Sequence, residues 1–280
     1  MKRLLLVDGS NLLFQMFYGM PARIVNAQGK AIHGTLGFVG ALNKIIHMTY
    51  PTHAAVLFDG EHENVRQTID PDYKANRTDY SQTVEEETPF SQLPDVYAAL
   101  DYMGIRRAET VSCETDDWMA AYALNCDPSA EIIISSFDSD FFQLITDHVS
   151  VLRYRGDKTT IFTPETIKEK FGISPSQYAD FKALTGDPSD NLRGADKVGP
   201  KTAALLLNQF GTLEGILSCS EQIAKPSIKA SIQQSAERLR QNQQLIRLTN
   251  TVPVPIPVDE LCFQGASHST TEILKAIHLR

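Results

Sequence analysis

Arg3-Leu4-Leu5-Leu6-Val7-Asp8 (RLLLVD), followed at once by Gly9-Ser10, is the stretch from which the fold can be read. Four aliphatic residues in an unbroken run, closed by a turn-forming Asp-Gly-Ser, describe a strand buried on both faces. The run is too short for the apolar core of a signal peptide, and it stops at a carboxylate. His53 to Asp59 (HAAVLFD) repeats the pattern, and Glu131 to Asp138 (EIIISSFD) repeats it again. Between the first two runs, Thr35 to Met48 has helical spacing. Between the second and third, Pro89 to Met103 and Thr115 to Leu124 have it too. Strands alternating with helices predict an α/β fold with a mainly parallel central sheet flanked by helices.

Ligands of such sheets gather beyond the carboxyl ends of the strands. Each of the three strands is expected to end in an aspartate: Asp8, Asp59 and Asp138. A single Asp after a strand is ordinary turn chemistry. Three of them, joined by further acidic clusters, call for another explanation. One cluster is Glu114-Thr115-Asp116-Asp117, at the start of a helix, where the dipole favours carboxylates but capping requires only one or two. Another is Asp138-Ser139-Asp140. The last is Asp187-Pro188-Ser189-Asp190 in a turn led by Thr185-Gly186, with i, i+3 spacing that puts both acids on one face. Carboxylates gathered in this number repel unless cations hold them. Mg²⁺ suits hard oxygen ligands, and Mn²⁺ can take its place. No Cys- or His-rich cluster competes for zinc, because Cys113, Cys126, Cys219 and Cys262 are widely spaced and form no C-x-x-C pair. Two ions in such a site would activate water and stabilise the leaving oxygen at phosphorus, without a protein nucleophile. Ser10 and His33 are read as structural.

The net charge of −8 at first argues against a nucleic-acid partner. Set aside the carboxylates of the clusters and the remainder is close to neutral, so a cation-filled site beside a basic surface removes the objection. No run of apolar residues is long enough for a membrane span. Thiols without a pairing pattern imply a reducing, cytoplasmic setting.

Residues 61–88 are polar and poor in aliphatics, a composition that fits a functional loop. A boundary is expected near Thr163-Pro164, giving a nuclease core over 1–163 and a helical region over 164–280. In the second region, Pro164 to Phe171, Gln177 to Leu184 and Pro200 to Phe210 read as short helices. Glu221 to Leu248 reads as a further helical stretch broken at Pro226, and Thr251 to Val258 (TVPVPIPV) as an extended tail.

On these residues the chain resembles the 5′ nuclease family, which includes flap endonucleases, phage 5′ exonucleases and the 5′ nuclease domain of bacterial DNA polymerase I. The resemblance runs through Leu5-Leu6-Val7-Asp8-Gly9-Ser10-Asn11, Pro51 to Val56 leading to Phe58-Asp59, and Asp72-Tyr73-Lys74-Ala75-Asn76-Arg77. It continues with Glu114-Thr115-Asp116-Asp117, Asp138-Ser139-Asp140, Gly186-Asp187-Pro188-Ser189-Asp190-Asn191 and Val198-Gly199-Pro200-Lys201-Thr202-Ala203. It implies a core of the PIN-like kind and a 5′-3′ exonuclease with flap endonuclease activity on DNA carrying a 5′ flap, nick or free 5′ end, serving replication and repair. A stand-alone form is expected from the position of Arg280, and the protein is expected to be a monomer. Asp8, Asp59, Glu114, Asp116 and Asp138 would serve one metal site. Asp140, Asp187 and Asp190 would serve a second, with Asp117 nearby. Residues 61–88 would be the family's helical arch, with Tyr73 stacking on a base and Lys74 and Arg77 contacting phosphates near the scissile bond. Asp8, Asp59, Asp116, Asp138, Lys74 and Arg77 are therefore the expected catalytic set.

The resemblance also implies a helix-hairpin-helix over about 184–210 that grips duplex backbone through Lys197, Gly199, Lys201 and Thr202, with Gly194 and Gly199 allowing close approach to phosphate. A K⁺ ion would be held there by the carbonyls of Leu184, Thr185, Arg193, Ala195 and Val198. Three departures from the family pattern stand out. Gln15 replaces a common arginine. Thr78-Asp79-Tyr80 replaces a common Pro-Pro. Arg193 and Lys197 replace a common Pro and Gly, and the lysine either strengthens phosphate binding or weakens the need for K⁺. A ribonuclease on a related core, or a junction-binding protein with an impaired site, is the alternative function. The hairpin argues against the first and the complete set of carboxylates against the second.

Overall fold

The computed structural model describes residues 2–62, 65–77, 84, 88–265 and 268–280. Thr78-Asp79-Tyr80, Glu63 and the acidic run Glu85 to Glu87 lie outside the described residues. A six-stranded sheet forms the centre: β1 (Arg3–Asp8), β2 (His53–Phe58), β3 (Arg106–Glu109), β4 (Glu131–Ser135), β5 (Val149–Arg153) and β6 (Thr160–Phe162). Their spatial order is β3-β2-β1-β4-β5-β6, parallel except for β6, which pairs antiparallel with β5. β1 lies in the middle, and its run is buried on both faces: Leu4 and Leu6 join one hydrophobic core, Leu5 and Val7 the other. The alternation of side chains along a strand explains this split.

Strand order reverses at β1, so the crevice between the ends of β1, β2 and β4 is the switch point at which ligands bind in such sheets. Asp8 is the last residue of β1, and Asp59 follows β2 directly. β4 stops at Ser135, so Asp138 sits three residues beyond the strand rather than at its end. The chain turns there because Phe137 N–H donates to Asn11 Oδ1 and Asp138 N–H to Ser136 Oγ.

The first helices are α1 (Gly9–Gly19), α2 (His33–Thr49), α3 (Leu93–Met103) and α4 (Thr115–Asn125). They are followed by α5 (Pro164–Phe171), α6 (Tyr178–Thr185), α7 (Pro200–Phe210) and α8 (Leu213–Ser218). The last are α9 (Pro226–Gln234), α10 (Ala236–Ile246) and α11 (Thr270–Ala276). Pro226 opens α9, which accounts for the expected break: proline fits the first turn of a helix and ends whatever precedes it. The expected extended tail is irregular, and Val252, Val254, Ile256 and Val258 lean on the core. The larger core is continuous from β1 and β4 through α6, α7 and α10, so the helical region and the sheet share one apolar interior. Among the described residues, no helix is long and apolar enough to cross a membrane.

Candidate metal and DNA site

Asp8 caps α1, its Oδ1 accepting the Asn11 N–H at 2.9 Å, while its Oδ2 accepts the Ser136 hydroxyl at 2.8 Å. These bonds fix a buried carboxylate at the end of the central strand. Burial, and next the charge of Asp59, still pushes Asp8 up to about 7. Asp59 Oδ1 accepts the Thr115 N–H at the start of α4, tying that helix to the switch point. Asp116, one residue further on, is pushed well above the usual carboxylate range by burial and then by Asp138, with Glu114 and Asp59 adding to it. Asp140 is pushed up to about 7 by burial and by Asp138. Asp138 thus lies within electrostatic reach of Asp8, Asp116 and Asp140 and links the two halves of the cluster. Its own Oδ1 accepts the Asp140 N–H at 2.8 Å.

Asp140, Asp187 and Asp190 offer carboxylate oxygens within 4.8 Å of one another, all three buried. Asp187 lies in β7 (Gly186–Asp187), which pairs with β8 (Leu192–Arg193), and Asp190 sits in the single 3₁₀ turn between them. This is the i, i+3 arrangement read from the sequence. Hard oxygen donors at this spacing fit a divalent cation of the Mg²⁺ type.

Glu114 and Asp117 face cations of the polar segment. Arg66 pairs with both, and Lys74 pairs with Glu114. Burial pushes Glu114 up, but Lys74 and Arg66 outweigh it and hold the carboxyl below its usual value. The Asp117 carboxylate accepts the Glu114 N–H at 3.2 Å in a capping box and both Arg66 terminal nitrogens. In this geometry both Asp117 oxygens take part in capping and pairing.

The segment 65–77 docks on the site. Arg66 Nε donates to the Leu245 carbonyl, Gln241 to that of Ile69, Asn76 to that of Pro188, and Lys74 N–H to that of Asp190. Arg77 pairs with Asp190 at 3.0 Å. Tyr73 was expected to stack on a base, but its ring is buried in the core at 3% exposure, with its hydroxyl toward Asp190 at 3.5 Å and Lys74 over its ring. An aromatic ring enclosed by protein presents no face to a nucleotide, so Tyr73 here is a packing residue.

Gly199 caps α7, followed by Pro200, which has no N–H, and by Lys201 and Thr202, whose first-turn N–H groups have no intrahelical partner. Lys197 is exposed and adopts φ 65°, a conformation that glycine takes without strain, so the backbone keeps the shape of the glycine that the family pattern places there. Gly194 approaches its own chain rather than open solvent: a Cβ on it would lie 2.4 Å from the Leu184 carbonyl oxygen and 2.5 Å from Gly186 N. Of the five carbonyls assigned to K⁺, Leu184 accepts Ala195 N–H, Arg193 accepts Asn242 Nδ2 and Ala195 accepts Val198 N–H. Gln15, at the position of the family's arginine, donates to the Tyr154 carbonyl at 2.8 Å and so binds protein. Ser10 donates no ligand; its Oγ accepts the Asp59 N–H.

Sequence reasoning missed Ser136, Arg66 and Lys182. Lys182 is buried in α6 and pairs with both Asp140 and Asp187. Nothing in the run Asp180-Phe181-Lys182-Ala183 marks a lysine aimed inward.

A doubly wound sheet with buried carboxylates massed at its switch point, beside a glycine-led hairpin, is the architecture of a nuclease core. A family model described as the 5′-3′ exonuclease N-terminal resolvase-like domain matches residues 3–172, and one described as the 5′-3′ exonuclease C-terminal SAM fold matches residues 173–269. The chain belongs to the 5′-3′ exonuclease family. It is 32% identical over 268 residues to DNA polymerase I of Bacillus caldotenax, covering 94% of this chain and 30% of that protein. It is 33% identical over 265 residues to DNA polymerase I of Mycobacterium tuberculosis, covering 93% of this chain and 29% of that protein. The chain therefore spans about a third of the length of these relatives. The crystal structure of the T5 D15 protein co-crystallised with metal ions shares the fold with TM-score 0.68 and 25% identity, over 88% of this chain and 89% of that one.

Proposed function

We propose that this chain hydrolyses DNA phosphodiester bonds at or near 5′ ends, as a 5′-3′ exonuclease and flap endonuclease serving replication and repair. The observation that carries this is the carboxylate chain Asp8, Asp116, Asp138 and Asp140 at the switch point, three of which burial and their acidic neighbours push toward protonation. Asp8, Asp59, Glu114, Asp116 and Asp138 would hold one Mg²⁺, and Asp140, Asp187 and Asp190 another, with Mn²⁺ able to substitute. Bound there, the ions would supply an activated water and neutralise charge on the leaving oxygen. Lys74 and Arg77, which lie on Glu114 and Asp190, are placed to take up phosphate oxygens as the strand arrives. Arg66, paired with Glu114 and Asp117, holds the loop against α4 while they do so.

We assign duplex grip to the turn before α7, where Lys197, Gly199, Lys201 and Thr202 meet phosphates through charge and N–H groups. K⁺ at the carbonyls of Leu184, Thr185, Arg193, Ala195 and Val198 would share lone pairs with the donors named above. The nuclease core and the helical region divide near residues 163–172 in this reading. The protein acts as a cytoplasmic monomer, a setting that its four free cysteines suit.

A 5′-labelled flap substrate tests the proposal. Cleavage should need Mg²⁺ or Mn²⁺, and Asp116→Ala and Asp187→Ala should each abolish it while leaving flap binding largely intact. Undiminished turnover in EDTA would overturn the metal mechanism. Tight flap binding by the wild type without product would replace it with a binding role.

A further inference from the structure

Lys182 is the one lysine of α6, and it is anchored in a helix whose neighbouring Phe181 and Ala183 are core residues. Its ammonium contacts Asp140 Oδ1 and Asp187 Oδ2, two of the three carboxylates that form the second cluster. The other oxygen of Asp187 is already taken by the Ser189 N–H at 3.0 Å and hydroxyl at 2.5 Å, so the oxygen that Lys182 covers is the one Asp187 has to offer. The third carboxylate, Asp190, carries Arg77 on one oxygen and Tyr73 on the other. Three carboxylates against two cations leave one net negative charge on this cluster, to which the neighbouring Asp138 adds, little for a site that is to hold a dication firmly.

The two cations differ in freedom. The Arg77 side chain is 57% exposed and can exchange Asp190 for a phosphate. The Lys182 side chain is 8% exposed, with its charge desolvated, and cannot leave for solvent. An ion entering the second cluster therefore meets a permanent positive charge sharing two of its ligands.

We infer that Lys182 is a built-in counter-ion of the second cluster, keeping it weak for divalent ions until a DNA phosphate draws Arg77 away and adds negative charge. In the first cluster the cations sit on Glu114, which Lys74 and Arg66 pair, while Asp8 at its centre meets only the Asn11 N–H and the Ser136 hydroxyl among the described contacts, so an ion there has a carboxylate that no cation shares. Assembly of the complete site is in this way tied to the arrival of substrate. The inference rests on the proposed metal reading.

Mn²⁺ binding to the DNA-free protein, followed by calorimetry and by electron paramagnetic resonance, tests it without reference to cleavage. Wild type should take one Mn²⁺ and bind a second far more weakly. Lys182→Met should tighten the second by roughly tenfold or more, as expected when an adjacent unit charge is removed, and leave the first unchanged. Its melting temperature should fall in EDTA and recover with Mn²⁺. Lys182→Gln, uncharged but polar, is measured alongside so that a folding defect of the methionine variant does not decide the outcome. Unchanged second-site affinity in the folded variants overturns the role of Lys182 alone. Failure of wild type and variants to bind any ion overturns this inference together with the metal reading.

Discussion

The Ser136 hydroxyl donates to Asp8 Oδ2 at 2.8 Å, and the Ser136 Oγ itself accepts the Asp138 N–H at 3.0 Å. One side chain thus sets the distance between the end of the central strand and the loop after β4. Partners of this kind orient ligands, and their loss commonly weakens metal binding or activity about 10–100-fold. Ser136→Ala should therefore lower Mg²⁺ affinity and cleavage by that order, while the fold survives. A metal titration of flap cleavage measures it, and an unchanged Mg²⁺ requirement would show Ser136 to be mere packing.

The pH response of the metal-free protein follows from the same crowding. Asp8 and Asp140 are pushed up to about 7 in the folded chain, against about 4 for a free aspartate. Between these values the folded state holds protons that the unfolded state has lost, so stability rises as pH falls. Its slope is at most about 1.4 kcal/mol per pH unit for each group. Glu114 and Asp187 are held below their usual range by Lys74, Arg66 and Lys182, and their contribution is lost only in stronger acid. In EDTA the melting temperature should be higher at pH 5.5 than at pH 8. Saturating Mg²⁺ should flatten or reverse the trend, because bound ions keep the carboxylates ionised. A melting temperature in EDTA that climbs from pH 5.5 to pH 8 contradicts the assignment.

Lys197 holds a left-handed backbone at φ 65°, a state that costs an L-residue about 1–2 kcal/mol. Lys197→Gly relieves this but gives back some of it in unfolded-chain entropy, for a net gain of roughly 0.5–1 kcal/mol. The same change removes one exposed positive charge, so flap affinity should fall and lose salt dependence by about one phosphate contact. Denaturant melts and a salt titration of binding check both signs together. Gain of stability with unchanged binding would mean that Lys197 does not touch DNA.

The sequence made β1, β2 and β4 readable because their apolar runs are buried on both faces, and burial on both faces leaves no alternation to confuse. β3, with the sequence Arg-Arg-Ala-Glu, escaped notice since it is an edge strand open to solvent. α1 is hidden in the sequence because it starts directly at Gly9, inside the Asp-Gly-Ser stretch that reads as a turn, with Asp8 itself as the cap. The carboxylates of the site were readable as a set, for they cluster at short spacing. Their counter-charges were not: Arg66 and Lys182 reach the site from positions far apart in the chain, and only the fold aims them. Tyr73 was misread for the same reason, since a tyrosine in a polar loop looks exposed until the loop is seen docked on α10.

Gly194 gives the sharpest test of how the hairpin and the carboxylates depend on each other. It follows β8, and a methyl group there would lie 2.4 Å from the Leu184 carbonyl oxygen and 2.4 Å from the Thr185 carbonyl carbon, both backbone atoms that cannot step aside as a side chain would. Its carbonyl also accepts Arg238 Nη2 at 3.1 Å, so the strand is held from the other side. β8 pairs with β7, which carries Asp187, and the turn between them carries Asp190. Gly194→Ala must therefore push β8 off β7, at a cost of about 1–3 kcal/mol typical of overpacking. Both functions should suffer at once: weaker flap binding because the turn before α7 shifts, and a raised metal requirement because Asp187 and Asp190 move apart. Gly199→Ala is the matched control, since nothing lies within 4 Å of a Cβ there and its φ of −88° suits any residue, so stability should hold while DNA binding alone responds. If Gly194→Ala weakened flap binding with an unaltered Mg²⁺ titration, the hairpin and the second carboxylate cluster would be independent units, contrary to the geometry that joins them through β7 and β8.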